Sequence, residues 1–456
     1  MALEVTLAVR IDDCLSIREG RLWIEECDAV ELARRFGTPL YVVSEDQLRR
    51  NARRIGAAFA AGWPDGPTSL LPSLKANLSL AMRAVLNAEG LGADTFGPGE
   101  LHAALTAGTT PEMISVNGSV KDAELVRRAV AAGARVTLDS PGELDLVAAA
   151  ARETGRAARV RLRLRPDYDG LTQPSQLDPG RSVRDSAQRY KPGIALEDAA
   201  AVGRAALAAE GVELVGVMAH LGRHSTDPAV WSGMGASFAA AIGDLCRALD
   251  GWRPEQIDVG GGYPAPRDPT GHGAGPAIET IAGALTGALR AGLADAGVDT
   301  RGIRLEAEPG RALYADTGIH LTTVRNTKRQ TRPLEWAWVE TDTTEMFMAD
   351  LLIEHARFGV LAASRADAEA ELDADVVGMS CGFDVIAPEA RLPAVGPGDV
   401  LAFLDTGAYQ DACASNFNGL PRPATVLVHG AGAEVVKRAE TVDEVFARDA
   451  IPARLR

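Results

Sequence analysis

Short apolar runs alternate with segments of helical period over the middle of the chain. Each run has the length and the flanking turn residues of a β-strand, and most are followed by an amphipathic pattern of period 3.6. Ser44 is placed to cap the first of these helices, over residues 44–61. The predicted strands are residues 70–75, 91–96, 113–117, 135–139, 159–165, 214–220, 257–260 and 304–308.

Eight such β/α units within about 270 residues match the length of a closed parallel (β/α)8 barrel, the TIM barrel. An open, doubly wound α/β sheet is the alternative. Polar residues and glycines at the ends of the predicted strands favour the barrel, because barrel enzymes carry their chemistry at the carboxyl ends of the strands. These are Lys75, Asp94, Asn117, Arg163, His220, Gly260–Gly262 and Glu308–Arg311.

The helical period stops near residue 312, and strand-like runs follow at 320–324, 336–341, 376–379, 400–404 and 425–428. This change predicts a second, β-rich domain. We therefore expect three parts. Residues 1–43 form an N-terminal segment that packs with the C-terminal β domain, residues 44–311 form the barrel, and residues 312–456 form the β domain.

Composition narrows the function to small-molecule chemistry. A net charge of −15 over 456 residues disfavours binding to nucleic acid or to anionic membranes, both of which require clustered lysine and arginine. The chain has no apolar stretch of about 18 residues and no secretory leader at its start, which predicts a cytoplasmic protein. The five cysteines and seven histidines show no metal-ligand spacing, so we expect no metal site.

Lys75 stands out among only five lysines. The other four have charged or polar neighbours, whereas Lys75 follows an apolar strand into the expected mouth of the barrel. Loss of hydration there would favour the neutral, nucleophilic amine that forms an imine with a carbonyl cofactor. An ion-paired lysine is the alternative.

Two glycine-containing motifs predict anion binding. The run Gly260-Gly261-Gly262 follows a strand and can offer bare backbone N–H groups to a phosphate, although most glycine runs are simple turns. Glu308 and Arg311 flank a second glycine turn and combine a carboxylate with a guanidinium suited to phosphate or carboxylate. A surface ion pair is the alternative for these two.

These motifs, in this order, resemble the fold-type III pyridoxal-phosphate decarboxylases of the alanine-racemase-like fold, above all the diaminopimelate decarboxylases. The resemblance runs from about residue 41 to residue 428. The matching blocks are Leu74-Lys75-Ala76-Asn77, Gly92-Ala93-Asp94 with Gly99-Glu100, residues 257–264, Glu308-Pro309-Gly310-Arg311, Cys381, residues 405–409 and residues 415–423.

The resemblance implies pyridoxal 5'-phosphate as cofactor, bound through Lys75. It implies that Glu308 pairs with the pyridine nitrogen, that His220 stacks on the ring and that Arg163 lies near the phenolic oxygen. The remaining cofactor contacts that it implies are Asp94, the glycines Gly260, Gly261 and Gly262, the turn Pro309, Gly310 and Arg311, and Tyr409. Arg311 and Tyr409 are also candidates for the substrate carboxylate.

Cys381, by the same resemblance, comes from the β domain of a second subunit and returns a proton to the substrate carbon. This implies an obligate homodimer whose active sites lie at the subunit interface. The bland alternative for Cys381 is a small buried hydrophobic residue.

The sequence departs from the diaminopimelate decarboxylases where the substrate is recognised. That family has a glutamate after the cysteine, which binds the distal ammonium, whereas Gly382, Phe383 and Asp384 follow Cys381 here. Residues 340–350 contain no arginine or tyrosine for the distal carboxylate, and Arg223 replaces an expected serine. We therefore expect a decarboxylase for a different amino acid, with a neutral or acidic side chain, contacted by residues 382–384 and by Arg223 or His224.

Three other functions stay open from the sequence. The chain could be a true diaminopimelate decarboxylase of lysine biosynthesis. It could be an amino-acid racemase on the same scaffold, with Tyr409 as the second base. It could also be a non-enzymatic carrier of the cofactor, although a carrier has no use for the appended β domain.

Overall fold

The computed structural model describes residues 10–175, 178, 180–222, 224–265, 267 and 275–456. Contacts divide these residues into two compact units. The described residues between 49 and 313 form the barrel unit, and residues 10–48 with Tyr314–Arg456 form the β unit. Among the helices of the described chain, none combines the length and the apolar character needed to cross a membrane.

The strands, in chain order, are β1 (Leu15–Arg18), β2 (Arg21–Ile24), β3 (Cys27–Asp28), β4 (Leu40–Ser44), β5 (Thr68–Leu70), β6 (Ala93–Thr95), β7 (Ile114–Val116), β8 (Arg135–Leu138), β9 (Ala158–Arg163), β10 (Val212–Met218), β11 (Gln256–Asp258), β12 (Arg304–Ala307), β13 (Gly318–Gln330), β14 (Trp336–Thr341), β15 (Val360–Ala362), β16 (Leu372–Val377), β17 (Val385–Leu392), β18 (Val400–Phe403), β19 (Ala424–His429) and β20 (Gly432–Lys437).

The α-helices are α1 (Ala29–Phe36), α2 (Glu45–Gly62), α3 (Leu80–Ala88), α4 (Pro98–Thr106), α5 (Ala123–Ala132), α6 (Glu143–Thr154), α7 (Val183–Arg189), α8 (Leu196–Ala208), α9 (Pro228–Ala248), α10 (Ile278–Asp295), α11 (Arg311–Tyr314), α12 (Asp350–Ile353) and α13 (Val442–Val445). Short 3-10 turns lie at Leu74–Ala76, Pro111–Met113, Ala315–Thr317, Phe417–Gly419 and Ala453–Leu455.

The barrel unit contains the eight predicted parallel strands in the order β5-β12-β11-β10-β9-β8-β7-β6. The N–H of Gly92 donates to the carbonyl of Leu70 at 2.9 Å, and the N–H of Asp94 donates to that of Pro72 at 3.2 Å. These two bonds join the first strand to the second and close the sheet. The predicted (β/α)8 fold is confirmed, and the open doubly wound sheet is excluded.

A salt bridge network fills the lower part of the barrel. Arg161 is fully buried and lies 2.8 Å from Asp258 and 2.5 Å from Glu306. Arg135 approaches the same Glu306 at 3.0 Å. Because buried charges are tolerated only when they are paired, these contacts fix strands β8, β9, β11 and β12 relative to one another.

The first barrel strand ends earlier than predicted. It covers Thr68–Leu70, and Pro72 follows two residues later. The backbone still pairs with both neighbouring strands through Ser73, which bridges to Asp94 and donates its N–H to the carbonyl of Pro309, and the chain then turns through the 3-10 segment Leu74–Ala76. Lys75 therefore lies on a turn beyond the strand rather than at the end of the strand itself.

The β unit is built around a sheet in the order β17-β16-β14-β13-β4-β19-β20, with β18 paired to both β13 and β15. All five strand-like runs predicted after residue 312 overlap strands, although the run 376–379 shares only its first two residues with β16. The N-terminal strand β4 lies inside the sheet, antiparallel to β13 and parallel to β19. Strands β14 and β16 are parallel neighbours, so their carboxyl ends lie at the same edge.

Candidate active site

A hydrogen-bonded group of buried polar side chains lies at the carboxyl ends of the barrel strands. The Ser73 hydroxyl donates to Oδ2 of Asp94 at 2.6 Å. The side-chain amide of Asn117 donates to Oδ1 of Asp94 at 2.9 Å and to Oε1 of Glu308 at 2.6 Å. One amide thus holds two carboxylates that come from β6 and from the end of β12, the two strands that flank β5.

Glu308 is an acid of this group whose surroundings perturb its pKa. Burial raises the pKa of Glu308 well above its usual range, and the negative charges of Asp258 and Asp94 raise it further, while Arg161 and Lys75 oppose the shift. His220 lies beside it, with Nδ1 at 3.9 Å from Oε2. A buried carboxylate with this surplus of negative neighbours is suited to pair with a protonated ring nitrogen, which is the contact that a pyridoxal cofactor requires.

Lys75 is aimed at the same acids but is exposed in the single chain. Its positive charge opposes the upward pKa shift of Glu308 and also that of Glu100. Burial and the charge of Asp94 raise the pKa of Glu100 to about 7. The expectation that the amine is stripped of water is wrong for the single chain, because the 3-10 turn holds Lys75 at the open end of the barrel.

Gly260–Gly262, together with Gly222, form a glycine cradle next to Glu308. A side chain at any of these positions would strain the backbone or collide with its neighbours. Gly260 and Gly262 have φ values of +67° and +83°. A Cβ on Gly261 would lie 2.2 Å from the carbonyl oxygen of Glu308, and a Cβ on Gly222 would lie 1.8 Å from that of Gly261. Neighbouring backbone fills these Cβ positions, and the N–H groups of Gly260 and Gly261 donate to Oδ1 of Asp258 at 2.8 Å and to Nδ1 of His220 at 3.4 Å. The phosphate contact expected of this run stays a prediction.

Arg163 and the turn after β12 complete the described barrel mouth. Arg163 is buried, donates from Nη1 to the carbonyl of Asn117 at 3.3 Å and lies 3.7 Å from Asp139. The carbonyl of Pro309 accepts from the N–H of Ser73 at 3.1 Å, and Arg311 is buried at the first position of α11. Gly310 connects Pro309 to Arg311 in the same turn. The cofactor contacts expected of these residues stay predictions.

Cys381 lies in the β unit, on an exposed loop that follows β16. The side chain of Asn418 makes two hydrogen bonds with Cys381. Oδ1 of Asn418 accepts from the N–H of Cys381 at 2.9 Å, and Nδ2 donates to the thiol sulfur at 3.3 Å. Asn418 has a φ of 58°, a left-handed conformation that asparagine adopts more readily than most residues. Sequence reasoning placed Asn418 inside a matching block but did not identify its role.

The three residues after Cys381 divide into two kinds. Gly382 and Phe383 are exposed, and Phe383 is 99% exposed. Asp384 is buried and accepts from the Thr344 hydroxyl at 3.0 Å, the Glu345 N–H at 2.6 Å and the Ser380 N–H at 2.7 Å. The expectation that Asp384 contacts substrate is therefore corrected, because its carboxylate is occupied in organising the loop.

Tyr409 belongs to the β unit and has a φ of 62°. An aromatic residue in the left-handed region is strained, and such strain persists only where the surroundings impose it, often at functional sites. Its role toward cofactor or substrate stays a prediction. Arg223 lies outside the described residues, while the neighbouring His224 donates its N–H to the carbonyl of Gly262 at 3.0 Å.

Comparison with known proteins gives consistent results over the whole chain. Residues 45–315 match the family model "Pyridoxal-dependent decarboxylase, pyridoxal binding domain". The chain is 31% identical to the diaminopimelate decarboxylase of Archaeoglobus fulgidus, over 96% of this chain and 99% of that protein. It is 32% identical to the corresponding protein of Methanothermobacter thermautotrophicus, over 96% and 97%. The crystal structure of the M. jannaschii diaminopimelate decarboxylase in complex with L-lysine superposes with a TM-score of 0.88 at 29% identity, covering 97% of this chain and 99% of that one.

Proposed function

The chain belongs to the pyridoxal-dependent decarboxylases and uses pyridoxal phosphate, and on that premise we propose that its substrate is an amino acid other than diaminopimelate. The enzyme removes the α-carboxylate of an amino acid that carries no second carboxylate at its far end. This is the function best supported by the charges of two segments, residues 342–350 and the loop 378–384 that carries Cys381.

The supporting observation is the charge of those segments. Residues 342–350 and 378–384 together contain Asp342, Glu345, Asp350 and Asp384 and no lysine, arginine or histidine. They follow the parallel strands β14 and β16. Arg325 lies 2.6 Å from Asp342 and balances its charge, but a distal carboxylate brought to this edge would meet the like charge of Glu345, which costs about 1 kcal/mol at 4 Å in water and more in a desolvated site.

The residues of the barrel mouth would hold the cofactor. Lys75 would bind it covalently, and the Gly260–Gly262 cradle would bind its phosphate. Glu308, oriented by Asn117, would hold a proton on the ring nitrogen. When bound, pyridoxal phosphate supplies a cationic ring that accepts the electron pair left behind as carbon dioxide departs.

Cys381 would return a proton to the α-carbon, as part of a homodimer in which the loop of one subunit serves the barrel of the other. The exposure of Cys381, Gly382 and Phe383 in the single chain supports this assignment, because a proton donor must be closed off from water to act selectively. Asn418 would hold the thiol in position through the hydrogen bond to its sulfur.

Decarboxylation of diaminopimelate itself is the second candidate, and the names of the similar proteins favour it. Release of carbon dioxide from meso-diaminopimelate, lysine, ornithine and a set of neutral and acidic amino acids separates the two. We expect turnover of a substrate without a distal carboxylate to exceed that of meso-diaminopimelate. Faster turnover of meso-diaminopimelate than of every other amino acid would overturn the proposal. Borohydride reduction followed by peptide mapping should label Lys75.

A further inference from the structure

Glu345 places a carboxylate next to Gly382, a position that has no acidic side chain of its own. Gly382 follows Cys381, so the loop has no carboxylate of its own at this position. A Cβ built on Gly382 would lie 3.1 Å from Oε1 of Glu345. The carboxylate of Glu345 therefore occupies the space into which a side chain at position 382 would extend.

The sheet explains how two distant residues meet. Glu345 follows β14 and Cys381 follows β16, and these strands are parallel with Glu340 opposite Val377. The segments that leave them must run side by side. Asp384 ties them together, since its carboxylate accepts N–H groups from Glu345 at 2.6 Å and from Ser380 at 2.7 Å. Glu345 and Cys381 thus belong to one rigid loop pair.

We propose that Glu345 determines specificity by binding a distal ammonium group of the substrate beside Cys381. The substrate class is then an amino acid with one carboxylate and a second, terminal amine. This inference rests on the proposed decarboxylase function and narrows its substrate. It replaces the expectation of a neutral or acidic side chain, which assumed that no acid was available to pair with an ammonium.

The surroundings of Glu345 leave its charge available. In the part of the chain that the structure describes, no basic side chain lies within 4.0 Å of its carboxylate. Burial raises the pKa of Glu345, and the charge of Asp384 raises it further, while the backbone N–H of Asp384 opposes the shift. A cationic partner would stabilise the ionised form of this half-buried carboxylate, whereas a carboxylate of the substrate would be repelled by it.

The test compares lysine and ornithine with norleucine and norvaline, which have similar chains without the terminal amine. In the wild-type holoenzyme, we expect kcat/KM for the diamino acids to exceed that for the neutral analogues. Glu345→Gln should lower kcat/KM for the diamino acids about 10- to 100-fold, mainly through KM, and leave the neutral analogues unchanged or improved. Glu434→Gln, at an exposed position on β20, is the matched control and should change neither.

A rescue variant separates recognition from folding. Gly382 does not have a positive φ, so its backbone accepts a side chain. In the double variant Glu345→Ala with Gly382→Glu, the new carboxylate enters the vacated space and should restore at least part of the preference for diamino acids. Glu345→Ala alone should not. If the double variant is folded and still shows no preference, the assignment is overturned.

Binding gives a readout that does not need turnover. Calorimetry with 1,5-diaminopentane and n-pentylamine should show at least a 10-fold tighter binding of the diamine to the wild-type holoenzyme, lost in Glu345→Gln. If the enzyme releases carbon dioxide from amino acids but neither preference depends on Glu345, this inference fails and the proposed function stands. If the Glu345-dependent diamine preference is present without any decarboxylation, the inference stands and the proposed function fails.

Discussion

Asn117 donates a hydrogen bond of 2.6 Å to Glu308, and the same amide group holds Asp94 at 2.9 Å. The two carboxylates therefore share one neutral donor inside a buried site. We predict that Asn117→Ala leaves Glu308 without its donor and lowers both cofactor affinity and turnover about 10- to 100-fold, because removal of a partner that orients a ligating group has this size of effect. Spectroscopic titration of the apoenzyme with pyridoxal phosphate measures the affinity.

Asn87→Ala is the control for this variant. The side-chain amide of Asn87 donates a hydrogen bond to the backbone carbonyl of Ala107 at 2.8 Å, and Asn87 lies outside the mouth of the barrel. Equal losses of cofactor affinity in the two variants would show that Asn117 acts only through general stability.

A shared active site predicts that two inactive variants repair each other. Lys75→Ala and Cys381→Ala should each lose most activity, because the proposed function makes Lys75 the covalent anchor and Cys381 the proton donor. When the two are unfolded and refolded as a mixture, half of the dimers contain one intact site of two. Activity should then recover to about one quarter of the wild-type value. Cys413→Ala, the control cysteine, should keep its activity alone.

No recovery in the mixture, with dimers confirmed by light scattering, would place Lys75 and Cys381 of the same subunit in one site. A monomer in solution would rule out the shared site altogether.

Asp384 should be a structural residue of the loop that carries Cys381. Its buried carboxylate accepts three hydrogen bonds, from Thr344, Glu345 and Ser380. We predict that Asp384→Ala lowers the free energy of unfolding of the β unit by about 2 to 4 kcal/mol, because several donors lose a charged acceptor. Urea unfolding followed by tryptophan fluorescence measures the loss. Asp373→Ala, whose side chain is 80% exposed, should change it by less than about 0.5 kcal/mol. A similar effect of both variants would contradict the role given to Asp384.

His320 should make the β unit sensitive to acid. Burial lowers the pKa of His320 to about 3, and its Nε2 lies 2.7 Å from the hydroxyl of Thr343. The unfolded chain binds a proton near pH 6.5, whereas the folded chain does not until about pH 3, so acid favours the unfolded state. The stability contributed by neutral His320 is therefore present above pH 6.5 and is lost as the pH falls.

The His320→Gln variant isolates the contribution of His320 to the pH dependence of stability. Between pH 6 and pH 4.5, the wild-type protein should lose about 1.4 kcal/mol per pH unit more than the variant. Denaturant unfolding at a series of pH values measures the two slopes. The exposed His102→Gln should keep the wild-type slope, and parallel slopes for wild type and His320→Gln would refute the prediction.

The barrel could be predicted from the sequence because each of its strands is a local pattern. Parallel strands are buried on both faces and read as apolar runs, and the helices between them show their own period. Lys75 could be identified for a similar reason, since a lysine next to such a run is unusual. The end of β5 was misjudged, because the apolar run continues through Leu74 and nothing in it marks the 3-10 turn at Leu74–Ala76.

Glu345 and Asn117 were harder to recognise because their importance depends on contacts between distant segments. Glu345 is one of many acids in the sequence, and only the parallel pairing of β14 with β16 brings it to Gly382. Asn117 was seen as the end of a strand, but its link to Glu308 requires the closed barrel. The sequence did contain a signal for Glu345, because residues that follow two parallel neighbouring strands lie at the same edge of the sheet.

The position of β4 has a consequence for synthesis on the ribosome. Leu40–Ser44 is buried along its whole length between β13 and β19, yet its partners are translated about 270 and 380 residues later. At roughly 5 to 20 residues per second, this nascent apolar segment waits for tens of seconds without a sheet to join. The barrel strands are complete once residue 307 has been translated, so the barrel can fold first, whereas the apolar β4 is exposed to aggregation until β13 emerges.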